Sequence, residues 1–403
     1  MDSAADRTMS RIGLLVLTNA FVGGMVGIER TVLPLIAEAD FGLTSAAAAT
    51  AFIVTFGGTK ALMNFFAGSM SDRWGRKPLL LAGWLLAIPV PLLLMYASSW
   101  SWVLLANAFL GVSQALTWSM TVVMKVDLAR PTMYGRVIGW NEFAGYAGMS
   151  ATAVGTGVVA SAYGLRPEPF YIGLLVAALG LALSLAVKET RPPALASTPG
   201  GAAEPKRSTL SVLREGTLSH PALSAASLGG LSTNLKDGAL WGLLPIILAS
   251  RMLSIERIGV VVALYPAVWA FSQLYFGPLS DRIGRRGLIV VGLSLQACGV
   301  GTFALTTSFG GALCGAVLAG LGTGMVYPTL LAFVSEQARS EEKASALGVY
   351  RLWRDSGYAF GALGAGVLAD MLGLGPALLA AGIVPLVAAA VFHFRVPRST
   401  GMV

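Results

Sequence analysis

Charged residues are scarce in this sequence. Only 12% of its 403 residues are Asp, Glu, Lys or Arg, whereas soluble chains carry about 25%. Apolar residues make up 55%, and the mean hydropathy is +0.71. Such a chain has too few polar side chains to cover a water-facing surface, which excludes an ordinary soluble protein. We therefore expect most of its surface to face lipid.

Cysteine and histidine are also rare, with two of each. Cys298 and Cys314 lie within apolar runs, and we interpret them as free packing residues. His220 and His393 lie at segment edges, and no cluster has the spacing of zinc ligands. The sequence therefore predicts no metal site and no cofactor. It also lacks a Ser/His/Asp set and a phosphate-binding Gly-rich loop, which argues against an enzyme and against an ATP-driven pump.

Long apolar runs dominate what remains. They are about twenty residues long, which suits a membrane-spanning α-helix, and they lack the alternation of a transmembrane β-barrel. The first run is too long for the apolar core of a removable signal peptide. We predict an all-α membrane protein with twelve transmembrane helices, over residues 12–36, 46–70, 78–97, 101–127, 136–161, 168–187, 221–249, 256–278, 287–307, 310–335, 344–369 and 374–394.

One segment has a different composition. Residues 188–219 are rich in Pro, Gly, Ser and charge, which is typical of a loop. We predict a cytoplasmic central loop there, between a six-helix bundle over 1–187 and a second over 220–403. With the N-terminus inside, the loops and tails of that side hold about nineteen Lys and Arg residues and the opposite loops hold three. This asymmetry predicts a bacterial inner-membrane protein with both termini cytoplasmic, and no nucleic-acid partner.

An internal repeat relates the two halves. GSMSDRWGRK, at Gly68–Lys77, is followed 209 residues later by GPLSDRIGRR, at Gly277–Arg286. Two halves of matching topology are typical of transporters that open alternately by moving one bundle against the other. A non-transporting membrane sensor is the alternative from another class, but no soluble signalling domain is attached. The same offset pairs Asp127 with Glu336, Arg130 with Arg339, and Gly157 with Gly366.

These two motifs resemble the loop signature Gly-x-Leu-x-Asp-Arg-x-Gly-Arg-Lys of the major facilitator superfamily and its second-half copy. The resemblance covers essentially the whole chain, and it implies two pseudo-symmetric six-helix bundles around a central cavity. It also implies a gating network at the cytoplasmic helix ends, where the motif aspartate pairs with a neighbouring helix; the alternative is that these residues only anchor topology. The network residues are Gly68, Asp72, Arg73, Gly75, Arg76, Lys77, Asp127, Arg136, Asp281, Arg282, Gly284, Arg285, Glu336 and Arg339.

The chain departs from the pattern of drug/proton antiporters of that family. Those antiporters carry an arginine in the fourth helix, where this sequence has Asn107. They also carry a Gly-Pro-x-x-Gly-Gly element in the fifth helix, where this sequence has GYAGMSATAVGTGVVA, without proline. Export of amphipathic drugs is therefore the alternative rather than the leading hypothesis.

Several charged residues fall inside the predicted spans. An ionisable group at the bilayer centre costs about 2.5–3.5 kcal/mol on insertion scales, so it usually faces an aqueous cavity or a partner. Helical spacing places Arg354, Asp355 and Tyr358 on one stripe with Arg351. We predict a substrate-binding or coupling site composed of Glu29, Arg30, Lys60, Glu142, Lys236, Asp237, Trp241, Arg351, Arg354, Asp355 and Tyr358.

Five basic groups at this depth favour a charged or zwitterionic organic solute, with one of the carboxylates of Glu29, Asp237 or Asp355 taking the coupled proton. The alternative is a set of interhelical ion pairs that stabilise the bundles, such as Glu29 with Lys236. Neighbouring residues on a helix point about 100° apart, so one member of an adjacent pair could contact another helix. The expected partners are a small-molecule substrate, protons and the lipid bilayer, and we expect a monomer.

Overall fold

The computed structural model describes residues 2–130, 133–190, 209–338 and 343–397. Within these ranges the chain is almost entirely helical and has no strand. The first half contains α1 (Asp2–Arg30), α2 (Leu33–Ala39), α3 (Ala46–Trp74), α4 (Arg76–Ala87), α5 (Pro89–Met95), α6 (Trp100–Leu128), α7 (Tyr134–Tyr163) and α8 (Tyr171–Ala186). The second half contains α9 (Thr209–Arg214), α10 (Pro221–Ser250), α11 (Ile255–Ile283), α12 (Arg285–Leu305), α13 (Phe309–Gln337), α14 (Lys343–Leu372) and α15 (Leu374–Arg395).

These helices form twelve successive segments when α1 is joined with α2 and α4 with α5. Nine segments in the described ranges are long and apolar enough to cross a membrane. The other three are α7, α10 and α14, which are 30 residues each. Charged residues near the middle lower the mean hydropathy of α10 and α14, whereas α7 carries its charges in its first third and is rich in Gly, Ser and Thr in the remainder. The described residues form an all-α membrane protein, as predicted.

The repeated motif forms a tight turn in each half. Gly75 separates α3 from α4 with φ +95°, and Gly284 separates α11 from α12 with φ +89°. Only glycine adopts this backbone region without steric cost. At Gly75 a side chain would also meet the Glu189 carboxylate, because that position lies 2.7 Å from a Glu189 oxygen. The two motif glycines are therefore explained by the turn geometry.

The helices pack as two groups, α1–α8 and α10–α15, which touch along two related seams. α3 packs against α14, and α7 packs against α11. We call the end with the α3–α4 and α11–α12 turns the terminal end, and the opposite end the distal end. Towards the distal end, Gly157 of α7 lies against Gly259 of α11, and Gly366 of α14 lies against Ala47 of α3. The repeat partners Gly157 and Gly366 thus occupy equivalent close approaches.

The two groups are also hydrogen-bonded at the distal end. The Asp370 carboxylate accepts hydrogen bonds from the Ser45 hydroxyl at 2.7 Å and the Ala47 N–H at 3.1 Å, at the start of α3. At the equivalent place on the other seam, the Ser161 hydroxyl donates to the Glu256 carboxylate at 2.9 Å. These contacts close the distal end in this arrangement.

Two expectations need correction. The predicted central loop is not irregular throughout, because α9 and a π-helical turn at Glu215–Ser219 occupy its last part. That part is fixed to the second bundle: the Trp353 indole N–H donates to the Thr217 hydroxyl at 2.9 Å. Residues 191–208 of the loop lie outside the described residues. Cys298 and Cys314 are free, as expected, but both are exposed on the helix surface rather than packed.

Candidate functional site

Aromatic side chains from both bundles meet where α6 and α7 face α11 and α13. Tyr146 of α7 lies on Trp269 of α11, with ring centroids 3.6 Å apart. Trp118 flanks Tyr146 at 5.4 Å, and Tyr327 of α13 flanks Trp269 at 5.1 Å. These rings are in contact, so the expected central opening is filled at this depth. A solute could enter here only if the two bundles separate.

Lys60 lies beside this aromatic group. Its ammonium nitrogen is 5.4 Å from the ring centroid of Phe56 and 5.6 Å from those of Trp118 and Tyr358. The side chain is partly exposed. Among the described residues no carboxylate lies within 4.0 Å of it and none accepts a hydrogen bond from it. Lys60 is therefore a cation held by aromatic faces and without an anionic partner.

Glu142 also contacts Trp118. Its Oε1 accepts hydrogen bonds from the Trp118 indole N–H at 2.8 Å and the Asn141 amide at 3.0 Å. Its Oε2 is buried and has no hydrogen-bond partner within the described ranges. A buried carboxylate oxygen without a partner is costly. This oxygen therefore has capacity for a further donor.

Arg354 and Asp355 form a buried pair at the same interface. The Arg354 guanidinium lies 2.7 Å from Asp355 Oδ1 and donates to the Tyr327 hydroxyl, also at 2.7 Å. Asp355 Oδ2 accepts a hydrogen bond from Asn64 of the first bundle at 3.0 Å. Asn234 of α10 lies 3.5 Å from Asp355 Oδ1. The pair is thus neutral overall and joins the two bundles.

Arg30 occupies an aromatic box nearer the distal end. Its guanidinium carbon lies 4.4 Å from the ring centroid of Trp241 and 4.9 Å from that of Phe56. Glu29 Oε1 is 3.3 Å from Arg30 Nη1. Both residues are fully buried, and their charged atoms make no other hydrogen bond to described residues. Trp241 in turn stacks on Tyr358 at 4.7 Å. Phe56 belongs to the first bundle and Trp241 to the second, so the box includes side chains of both bundles.

A fourth group lies inside the second bundle. Lys236 and the Tyr265 hydroxyl both donate to Asp237 Oδ1. The Lys236 ammonium is 2.6 Å from the Tyr265 oxygen, which is 3.1 Å from the Thr323 hydroxyl. Asp237 and Lys236 have no exposed surface, and Asp237 Oδ2 has no partner among the described residues. One carboxylate is therefore enclosed between α10, α11 and α13.

The alternative of interhelical ion pairs, such as Glu29 with Lys236, was wrong for these adjacent charged residues. Glu29 contacts Arg30 and Lys236 contacts Asp237, so each pair closes on itself; Glu29 and Lys236 do not form an ion pair. Flexible side chains overcome the 100° offset between neighbouring positions, because an ion without a partner costs more than a bent rotamer. Arg351 differs from the rest of its stripe, since it is exposed.

The motif residues form matching ion pairs within each bundle. Arg76 Nε is 3.3 Å from Asp127 Oδ2. At the equivalent position Arg285 Nη2 is 2.8 Å from Glu336 Oε1 and 2.5 Å from Asp281. The 209-residue offset therefore relates these contacts as well as the motif letters.

The other motif residues are placed less closely together. The Lys77 ammonium donates to the Leu185 carbonyl at 2.8 Å. Arg136 and Arg282 are exposed, and Arg73 is also exposed but has a partner. The side chain of Asp72 and the whole of Arg339 lie outside the described residues, so the expected pairing of the motif aspartate stays a prediction.

Two charged residues at this end were missed by the sequence interpretation. Lys125 of α6 is buried, and its ammonium donates to the Leu15 carbonyl at 3.1 Å. Glu189 accepts hydrogen bonds from the backbone N–H groups of Arg76 and Lys77 at 3.1 and 3.0 Å, at the start of α4. Both residues lie close to the ends of predicted spans, where a charged side chain is ordinarily solvated. Their positions in the sequence therefore do not predict that Lys125 is buried or that Glu189 binds the start of α4.

The chain is similar over its whole length to known transporters. The sequence profile of the Major Facilitator Superfamily matches residues 15–235 and 225–402. An uncharacterized MFS-type transporter of Salmonella typhimurium strain LT2 is 26% identical over 407 residues, covering 96% of each chain. A crystal structure of the nucleoside transporter NupG superposes with a TM-score of 0.78 at 12% identity, covering 96% of this chain and all of that one.

A second solved structure agrees. The human organic anion transporter MFSD10 superposes with a TM-score of 0.70 at 17% identity, covering 96% of this chain and 99% of that one. At these identities the superpositions show the fold alone. The profile match, which spans both halves, shows the family. This chain belongs to the major facilitator superfamily of transporters.

Proposed function

We propose that this protein is a secondary transporter that moves a charged or zwitterionic organic solute across the bacterial inner membrane by alternating access, with proton coupling and both termini cytoplasmic. The observation that carries the proposal is the meeting of charged and aromatic side chains from both bundles at one interface. Ionisable groups at membrane depth mark substrate and ion pathways. The distal seams close this interface on one side, so the solute would enter from the terminal end once the bundles separate there.

Asp237 is the carboxylate best suited to proton coupling. It is enclosed, and it is held by Lys236 and Tyr265, so gain of a proton would remove the charge that binds both donors. Glu29 and Asp355 are the other candidates, each paired with an adjacent arginine. An arginine keeps its charge in proteins, so these two carboxylates retain a permanent cation beside them.

Transport in proteoliposomes tests the proposal. With an imposed pH gradient, a panel of organic acids, amino acids and cationic drugs should contain a solute whose flux follows the gradient. Asp237→Asn should leave exchange of that solute intact and abolish its accumulation. Arg257→Gln, an exposed change on α11, is the control for handling of the protein. Flux that ignores the gradient in the parent protein would contradict proton coupling.

The same panel separates the two alternatives. Export of amphipathic cations alone would indicate a drug/proton antiporter, which the aromatic contacts of Tyr146 and Trp269 also favour. No flux of any compound, together with binding of one, would indicate a non-transporting sensor.

A further inference from the structure

The charged residues of the predicted site differ in whether they have an ion partner. Arg30, Lys236 and Arg354 each contact the carboxylate of an adjacent residue, so each of these three pairs is neutral as a unit. Lys60 and Glu142 are different. Among the described residues neither has an ion partner within 4.0 Å. Within the predicted site they are thus a positive and a negative charge without an ion partner in the described part of the chain.

These two charges contact the same side chain, that of Trp118. The Lys60 ammonium is 5.6 Å from the centroid of the Trp118 ring, and the Trp118 indole N–H donates to Glu142. All three residues belong to the first bundle, on α3, α6 and α7. The Tyr146 ring beside Trp118 is covered by Trp269 of the second bundle. The first bundle therefore presents two opposite charges that contact one indole, and the second bundle covers the neighbouring ring.

Lys125 of α6 is another buried cation of the first bundle. Its ammonium is buried and bound to the Leu15 carbonyl, and it forms no ion pair with Glu142 within 4.0 Å. Glu142 Oε2 stays without a hydrogen bond among the described residues. Lys125 therefore does not occupy the free oxygen of Glu142.

We propose that the substrate is a zwitterion, with its anionic group bound by the Lys60 ammonium and its protonated amine bound by Glu142 Oε2. This inference rests on the transport function proposed above and deepens it. An anion alone would leave the Glu142 oxygen without a donor, and a cation alone would leave Lys60 without an acceptor. A compound with both groups satisfies both in one step. An apolar or aromatic body between the charges would lie along Trp118 and Tyr146.

Matched probes test the assignment on the purified full-length protein in detergent, with intrinsic tryptophan fluorescence as the readout. One set is L-phenylalanine, 3-phenylpropionate and 2-phenylethylamine, which share a ring and differ in charge. A second set, 4-(aminomethyl)benzoate, benzoate and benzylamine, has a larger charge separation. In the parent protein at least one zwitterion should bind roughly tenfold or more tightly than its two singly charged relatives.

The effect of each variant should depend on the charge of the probe. Lys60→Gln should weaken binding of the zwitterion and the acid and leave the amine unchanged, and Glu142→Gln should weaken the zwitterion and the amine and leave the acid unchanged. Lys60→Arg and Glu142→Asp keep the charges and should retain most of the binding, which separates loss of a contact from loss of folding. Arg257→Gln, an exposed change on α11, should match the parent.

Three results would overturn the assignment: no zwitterion preferred over its relatives, no probe bound at all, or both variants weakening every probe alike. Flux of the preferred zwitterion in proteoliposomes is measured separately. Selective binding without flux would refute the transport function and keep the zwitterion site. Flux of a solute without the charge-selective pattern would refute the site and keep the transport function.

Discussion

The distal seam offers the sharpest structural prediction, at Gly366 on α14. A Cβ atom at this position would lie 2.6 Å from the Ala47 Cα and 2.7 Å from the Thr50 hydroxyl oxygen. Ordinary contacts for a Cβ are 3.4–4 Å, and the Ala47 atom belongs to the backbone of the other bundle. Gly366→Ala therefore requires α3 and α14 to move apart by about 1 Å at the distal end.

Overpacking of this kind costs about 1–3 kcal/mol. The cost falls on the distal-closed arrangement, because in a distal-open one the two helices no longer touch. Gly366→Ala should therefore shift the equilibrium towards the distal-open state by about 5- to 150-fold. Gly364→Ala is the matched control, since nothing lies within 4 Å of a Cβ at that position on the same helix.

Spin-label distances measure this shift directly. Labels on cysteines at Thr44 and Leu372, both exposed beside the seam, report the separation of α3 from α14 at the distal end. The native Cys298 and Cys314 are exposed and must first be replaced by serine. Gly366→Ala should increase the long-distance population and Gly364→Ala should not. An unchanged distribution in Gly366→Ala would refute the view that this seam closes the distal end.

Three further predictions concern single contacts. Asp370→Asn should shift the same label distances in the same direction as Gly366→Ala, but less, because the carboxylate is exposed and screened; a shift towards closure would contradict its role as a latch. Trp241→Ala should lower the unfolding temperature by more than Arg257→Gln, since a desolvated cation–π contact is worth about 2 kcal/mol. Arg285→Gln and Glu336→Gln should have effects on stability that are not additive, because they remove one ion pair; additive effects in a double-mutant cycle would show the pair to be uncoupled.

Composition, motif and repeat were sufficient for the fold. The scarcity of charge required a membrane protein, and the repeated motif predicted equivalent features in the two halves, which the structure shows as tight turns at Gly75 and Gly284. The offset of 209 residues then related Arg76 with Asp127 to Arg285 with Glu336 before any distance was known. These features depend on short stretches of sequence or on their repetition, so they can be predicted without the tertiary structure.

The contact partners of the charged residues within the membrane-spanning helices could not be predicted from such local features. Spacing along a helix shows which residues share a face, but helix rotation and crossing decide what that face meets. Only the folded bundles brought Lys60 and Glu142 into contact with the same Trp118 side chain, and the buried Lys125 ammonium into a hydrogen bond with the Leu15 carbonyl. The sequence alone established that charged groups lie within the membrane-spanning helices. The tertiary structure decided which of them form ion pairs with described residues and which, such as Lys60 and Glu142, do not, because the surroundings of each charge depend on how the helices pack against one another.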